Sequence, residues 1–176
     1  GYTFNANYSK VTNDSLDLFQ EIFVDFEMRK PKYKLLLGGQ FLQYNQEVFE
    51  NEPDRPMVQT ITPFADLTYK FDRKKSMRVE LQYQKSEQDF GSWVYGLVEY
   101  NIAPKWSFAL SDMWNYEPLR TEEALHYYSV FTGYTHKSSR FTLNYVKQIA
   151  GIVCTGGVCR YEPAFSGLKA GLFTSC

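Results

Sequence analysis

The sequence predicts an all-β fold: an antiparallel transmembrane β-barrel with about ten strands in view, forming a single outer-membrane domain over residues 1–176. Three observations carry this prediction. Some ten short segments alternate apolar and polar residues with period two, the pattern of a strand with two unlike faces. The connections between them alternate short and long, as periplasmic turns and extracellular loops do in outer-membrane barrels. Aromatic residues on the apolar phase also gather beside the short turns, where amphipathic rings favour a membrane–water interface.

The segments follow in order. Residues 2–10 set Tyr2, Phe4, Ala6 and Tyr8 against Thr3, Asn5, Asn7 and Ser9. Residues 16–29 carry Leu18, Ile22, Val24, Phe26 and Met28 on one phase and Glu21, Asp25, Glu27 and Arg29 on the other. Residues 33–44 place Tyr33, Leu35, Leu37 and Phe41 in phase, and residues 57–71 do the same with Ile61, Ala65, Leu67 and Tyr69. The fifth segment, 76–84, is the cleanest: Met77, Val79, Leu81 and Tyr83 alternate with Arg78, Glu80, Gln82 and Gln84. In residues 93–101 both phases are largely apolar. Turning Glu99 inward sends Val94, Gly96, Val98 and Tyr100 outward.

Residues 105–116 show Trp106, Phe108 and Leu110; residues 125–135 show Tyr128, Val130 and Tyr134; residues 140–153 show Phe141, Leu143 and Tyr145. The tenth segment, 158–176, is interrupted at Pro163 and Gly167, where a bulge or break is expected.

Residues 30–32, 72–75, 102–104 and 136–139 are short and turn-like. Residues 45–56, 85–92 and 117–124 are longer and polar. Two compact turns, at 12–14 and 155–157, break the length rule and keep the parity. Counting back from a periplasmic carboxy terminus places the long loops outside the cell. Tyr33, Tyr69, Phe71, Tyr100, Trp106, Tyr134 and Phe141 all lie near the short turns on the outward phase, and form the expected aromatic girdle.

Composition agrees. Aromatic residues make up 18% of the chain, a heavy load for a soluble core. Mean hydropathy is −0.42, and no segment approaches the ~18 apolar residues a spanning helix needs. A barrel with a polar interior is compatible with that value. A net charge of −1 gives no basis for a nucleic-acid partner. A soluble barrel or sandwich would show the same alternation with its apolar face buried. The loop asymmetry and the one-sided girdle favour the membrane. The chain opens on Gly1, as a mature exported protein or a fragment would.

Chemistry-bearing residues are few. Cys154 and Cys159 flank a four-residue turn and could approach within disulfide distance. An exported protein meets oxidising conditions, so a structural bridge is expected over free thiols. His126 and His136 lack the local serine and acid that a hydrolase would need. Glu47, Glu50, Glu52, Asp54, Glu117, Glu122 and Glu123 lack calcium-loop spacing. Gly156-Gly157 reads as a hairpin turn, not a phosphate cradle. No catalytic residue, metal or cofactor is therefore expected. The inward charges Glu21, Asp25, Glu27, Arg29, Arg78, Glu80, Glu99 and Lys169 would plug a narrow barrel or line a wider channel.

Residues 97–116 (LVEYNIAPKWSFALSDMWNY) and 151–172 (GIVCTGGVCRYEPAFSGLKAGL) resemble the carboxy-terminal part of an uncharacterised family of Bacteroidota outer-membrane β-barrel proteins. The resemblance covers roughly the last eighty residues, with the Cys-Thr-Gly-Gly-Val-Cys-Arg hairpin its most specific element. It implies a Gram-negative outer membrane, a larger parent barrel and no catalytic residue. Such barrels usually end in an aromatic residue, where this chain has Cys176. The expected partners are outer-membrane lipid, the barrel-assembly machinery during biogenesis and subunits of an outer-membrane complex. The expected role is non-enzymatic, either structural or within an assembly or transport complex. A channel, a membrane hydrolase centred on His126 and a soluble ligand-binding barrel are the alternatives.

Overall fold

The computed structural model describes residues 1–13, 16–49, 53–54, 57–119, 124–148, 151–155 and 158–174, with residues 151–155 and 158–162 described by backbone alone. The strands are β1 (Tyr2–Asn13), β2 (Leu16–Arg29), β3 (Tyr33–Asn45), β4 (Met57–Lys70), β5 (Lys75–Ser86), β6 (Gly91–Ile102), β7 (Trp106–Pro118), β8 (His126–His136), β9 (Ser139–Gln148), β10 (Gly151–Thr155), β11 (Val158–Glu162) and β12 (Phe165–Thr174). A single helical turn, α1 (Gln46–Phe49), follows β3. Nine consecutive strands and β12 form one ten-stranded sheet in the order β1 to β9, then β12. Every neighbouring pair is antiparallel. The sheet is open: β1 is one edge and β12 the other.

The carboxy-terminal expectation is corrected. Residues 140–153 do not form one strand, and 158–176 do not form another. β9 ends at Gln148, and β10 and β11 pair with each other as a separate two-stranded sheet. The chain then re-enters the main sheet at Phe165. Pro163 marks the break because it has no N–H to give a ladder, whereas Gly167 lies inside β12 without interrupting it. The connection from β9 to β12 is therefore long, and obeys the length rule that the compact-turn reading broke. At the other end β1 runs through Thr12 and Asn13, which pair with Asp17 and Leu16 past a register shift.

The register carries one row of apolar residues across all ten strands: Tyr2, Met28, Leu35, Leu67, Val79, Val98, Leu110, Val130, Tyr145 and Leu168, each opposite the next. Period-two alternation puts their sequence neighbours on the other face. There the adjacent row reads Thr3, Glu27, Leu36, Asp66, Glu80, Leu97, Ser111 and Ser129. Following the apolar row, Met28 stands three residues before Pro31, Leu67 five before Asp72 and Val130 seven before Lys137. The row thus climbs away from the short turns as it crosses the sheet. That stagger is the signature of strands tilted to the sheet's own end.

Two turns show how local chemistry fixes this frame. Gly91 opens β6 at φ 88°, and a Cβ there would sit 2.0 Å from the Glu117 carbonyl oxygen. Only glycine accepts both the backbone angle and the approach. At the β4–β5 turn, the Asp72 carboxylate accepts the backbone N–H groups of Lys74 (2.7 Å) and Lys75 (2.9 Å). The Lys74 hydrogen bond is the main cause holding the Asp72 carboxyl below its ordinary value.

A depressed carboxyl stabilises the fold above the unfolded-state value, and that contribution is lost as pH falls through the folded value. Asp72→Ala is therefore expected to lower the urea midpoint at neutral pH and to flatten the acid limb of its pH dependence. A pair of identical pH profiles for the two proteins would refute the assignment.

Candidate functional site

The two faces of the sheet differ in the reverse of the usual sense. The carboxylate side chains of Glu27, Asp66 and Glu80 are only 13, 15 and 17% exposed. On the other face Leu110, Val130 and Leu168 are 56, 50 and 61% exposed. Val58 is the one buried apolar residue among the described residues. The charged face is the sheltered one, and the apolar face is presented outward.

The sheltered face is a lattice of charge-assisted hydrogen bonds. Asp66 and Glu80 stand directly opposite each other, a repulsive placement on adjacent strands. Arg78 resolves it by donating from Nε to Asp66 (2.7 Å) and from Nη2 to Glu80 (2.5 Å), a forked geometry suited to guanidinium. Arg78 also faces Glu99 across β5 and β6, and Asn101 donates to that carboxylate. Glu27 pairs with Arg29 and with Lys34 (2.9 Å). Gln40 donates to Glu21, Asn5 to Asp25, and Lys169 to Gln148. Each inward charge singled out in the sequence thus has a partner. Asp66 and Lys34 complete the set. Both sit on the polar phase of their strands, so alternation alone could have found them.

The seven aromatic positions fall on the outward face in two contiguous steps. Tyr33, Tyr69, Met77 and Tyr100 lie in one cross-strand row. Phe71 in the following turn packs against Tyr69 (5.1 Å between centroids) and Tyr100 (6.3 Å). Ile102, Trp106, Tyr134, Phe141 and Leu172 form the next row. There the rings of Trp106 and Tyr134 are 4.5 Å apart. A second aromatic group at the long-loop end is absent from the sequence reading. Tyr83 stacks on Tyr116 with their hydroxyls 2.6 Å apart, and Trp114 packs against Tyr116 and His126. Its signal was available, since Tyr83, Trp114 and Tyr116 share the outward phase.

The long-loop end also holds most of the buried side chains among the described residues, and apart from Val58 they are polar. Ser92 and Asn115 are fully enclosed, and Ser86 nearly so. Asn115 Nδ2 donates to the carbonyls of Phe90 (3.0 Å) and Ser92 (3.1 Å). The Ser92 hydroxyl accepts from Ser86 N–H and donates to its carbonyl. These bonds tie the β5–β6 loop to β7.

His126 Nδ1 lies 2.7 Å from Asp112 Oδ2, both on the outward face. The pair has the orientation of an acid–base dyad, yet among the described residues no nucleophilic hydroxyl is hydrogen-bonded to His126. His136 sits at the turn end, near Tyr134. Cys154 stands opposite Cys159 in the β10–β11 register. Their side chains, and so the expected disulfide, lie outside the described residues. So do Glu50, Glu52, Glu122 and Glu123, while Glu117 pairs with Lys85 at 2.5 Å. Among the described residues no three His, Cys, Asp or Glu side chains gather as metal ligands.

A model for a protein family, described as a family of unknown function (DUF6029), matches residues 3–176. No curated protein and no solved structure matches the chain.

Asn115→Ala should cost about 1–3 kcal/mol, because it removes the two side-chain hydrogen bonds that tie the β5–β6 loop to β7 from an enclosed site. Loss should appear as a lower denaturation midpoint with faster amide exchange confined to residues 86–92. Uniform exchange across the sheet would contradict the local role.

Proposed function

The chain belongs to the family of unknown function DUF6029. We propose, from the character of its two faces, that its sheet is the wall of a transmembrane β-barrel in a Gram-negative, Bacteroidota-type outer membrane. It acts there without catalysis, as a structural wall or as a component or client of an assembly or transport complex. The observation that carries this reading is the reversal of faces. Thirteen to seventeen per cent exposure for paired carboxylates, beside half-exposed leucines and valines, is costly in water and matched to lipid.

Three further features support it. The apolar row is continuous through ten strands, so a single lipid phase would cover it without a break. Aromatic groups border it at both ends, as interfacial belts do. The strands carry the stagger that a closed barrel needs. Because every backbone polar group in hydrocarbon must be paired, the wall functions in a ring that also covers the free edges of β1 and β12. The short turns and carboxy terminus face the periplasm, and the long connections, with the β10–β11 hairpin, face outward.

A channel is the second reading, favoured by the two-signed charge lattice on the sheltered face. Stepwise conductance in planar bilayers would support it, and Arg78→Ala would then shift ion selectivity toward cations.

The membrane reading makes a paired prediction. Val130 and Ser129 are sequence neighbours on opposite faces. Val130→Arg should cost about 2–4 kcal/mol for folding into vesicles. Ser129→Arg should cost clearly less. Urea titration in vesicles measures both. The reverse order, together with extraction without detergent and no heat-dependent gel shift, would return the chain to the soluble class.

A further inference from the structure

The short turns repeat one juxtaposition: a cation beside an aromatic residue of the girdle. Lys32 precedes Tyr33, Arg73 and Lys74 follow Phe71, Lys105 precedes Trp106, and Lys137 follows Tyr134 within the same turn region. All of these cations are exposed, and among the described residues none of them is ion-paired. The nearby carboxylates are engaged elsewhere. Glu27 is held by Arg29 and Lys34, Glu99 accepts from Asn101, and Asp72 accepts the backbone N–H groups of Lys74 and Lys75.

The long-loop end is the opposite. There Lys10 is paired with Asp17 and Lys85 with Glu117, while Glu47, Asp54, Glu87 and Asp89 add further negative charge. The net charge of −1 therefore conceals a chain that is basic at one end and acidic at the other.

The backbone holds the cations on a fixed rim. The Lys32 carbonyl accepts the Lys70 N–H (2.7 Å), the Lys74 carbonyl the Ala103 N–H (2.6 Å) and the Lys105 carbonyl the Thr135 N–H (2.8 Å). The ladder thus continues past the strand ends into the turns. Successive short turns stand two strand spacings apart, about 10 Å. That is about one Debye length in ~0.1 M salt, so the fields of neighbouring turns overlap. The girdle sets the depth of this rim, because tyrosine and tryptophan rings favour the headgroup level of a bilayer. Cations one to three residues beyond the rings lie among phosphates. An acidic protein docking on the turns would use the cations alone, whereas a cation beside a ring at every short turn matches the boundary between hydrocarbon and phosphate.

We propose that the short-turn rim gathers anionic phospholipid of the phosphatidylglycerol class in the leaflet it faces. Phosphates meet Lys32, Arg73, Lys74, Lys105 and Lys137, and the girdle rings lie against the first carbons of the acyl chains. The Arg73 guanidinium suits a phosphate through paired N–H donors. A zwitterionic headgroup carries its own cation beside the phosphate and gains less from the rim. The proposal rests on the membrane reading above.

The test is electron paramagnetic resonance of spin-labelled phosphatidylglycerol and phosphatidylcholine in vesicles holding the full chain, which gives the relative association of each lipid with the protein. The wild type is expected to hold the first about fivefold more strongly or better, the effect of at least one surface cation. Lys32→Gln, Arg73→Gln, Lys74→Gln, Lys105→Gln and Lys137→Gln combined should bring the lipids to parity. Lys10→Gln with Lys85→Gln, at the loop end, should leave the preference intact. On the wild type alone, added salt should weaken phosphatidylglycerol and spare phosphatidylcholine. Inorganic phosphate should act no more strongly than chloride at equal ionic strength. Heat-dependent mobility on gels reports folding of each variant, and the salt titration decides the matter without any variant. Equal association of both lipids, a preference indifferent to salt, or one that survives in the folded rim variant overturns the rim and leaves the barrel reading standing. Loss of preference in the loop-end variant overturns its position, and displacement by phosphate beyond chloride overturns the lipid as its source. A chain that stays in solution without detergent and shows no mobility shift overturns both readings.

Discussion

The backbone ladder between antiparallel neighbours is what the rest of this structure hangs on. A soluble domain of this length would draw most of its cohesion from a packed apolar interior. Here a single apolar residue, Val58, is buried among the described residues, so the side chains supply no such interior. What joins strand to strand is the repeated exchange of N–H and C=O groups, with cross-strand side-chain contacts added on both faces. Every other feature is read off that ladder. It sets which residues stand opposite each other, and so builds the apolar row, the aromatic steps and the charge lattice.

The ladder also explains why the charges can be sheltered. Asp66 and Glu80 are forced opposite each other by register, and Arg78 lies close enough to bridge them. A sheltered ion pair is weak evidence of stability, since desolvation offsets much of the attraction. Its value here is positional. Removing Arg78 would leave three carboxylates converging on one patch, so the lattice penalises any slip that separates them. A one-residue slip would also send every charge to the apolar side. The faces and the register therefore enforce each other.

The free edges of β1 and β12 are the counterpart of that dependence. Each presents an unpaired row of backbone groups on a strand whose side chains keep the same alternation as the interior strands. Because the sheet holds an even number of strands, the two edges run in opposite directions. Each is thus compatible with an antiparallel neighbour. Neither edge is blunted by the lysines or prolines that soluble proteins place there to prevent pairing, apart from Lys10 and Lys169, and each of these has a partner on its own sheet.

How much of this was legible beforehand differs from element to element. β2 to β5, β7 and β8 were readable because their alternation is strong and turn residues bound them, whereas the faces of β6 were assigned only by turning Glu99 inward. Period two assigns a face to each residue without knowing its neighbours. The outward aromatics were readable for the same reason. The carboxy-terminal path was not, because alternation runs through 140–153 and 158–172 alike and cannot say that β10 and β11 pair with each other instead of extending the sheet. The Asp112–His126 contact was hidden too: the two residues are fourteen apart and meet only because Trp114 stands opposite His126 in the β7–β8 register. Local periodicity alone sets most of the strands, their turns and which side chains share a face. Which face is sheltered, which charges meet and where the sheet's two open edges lie emerge only from the assembled sheet. Those depend on register and tilt, which are set between strands and not within them.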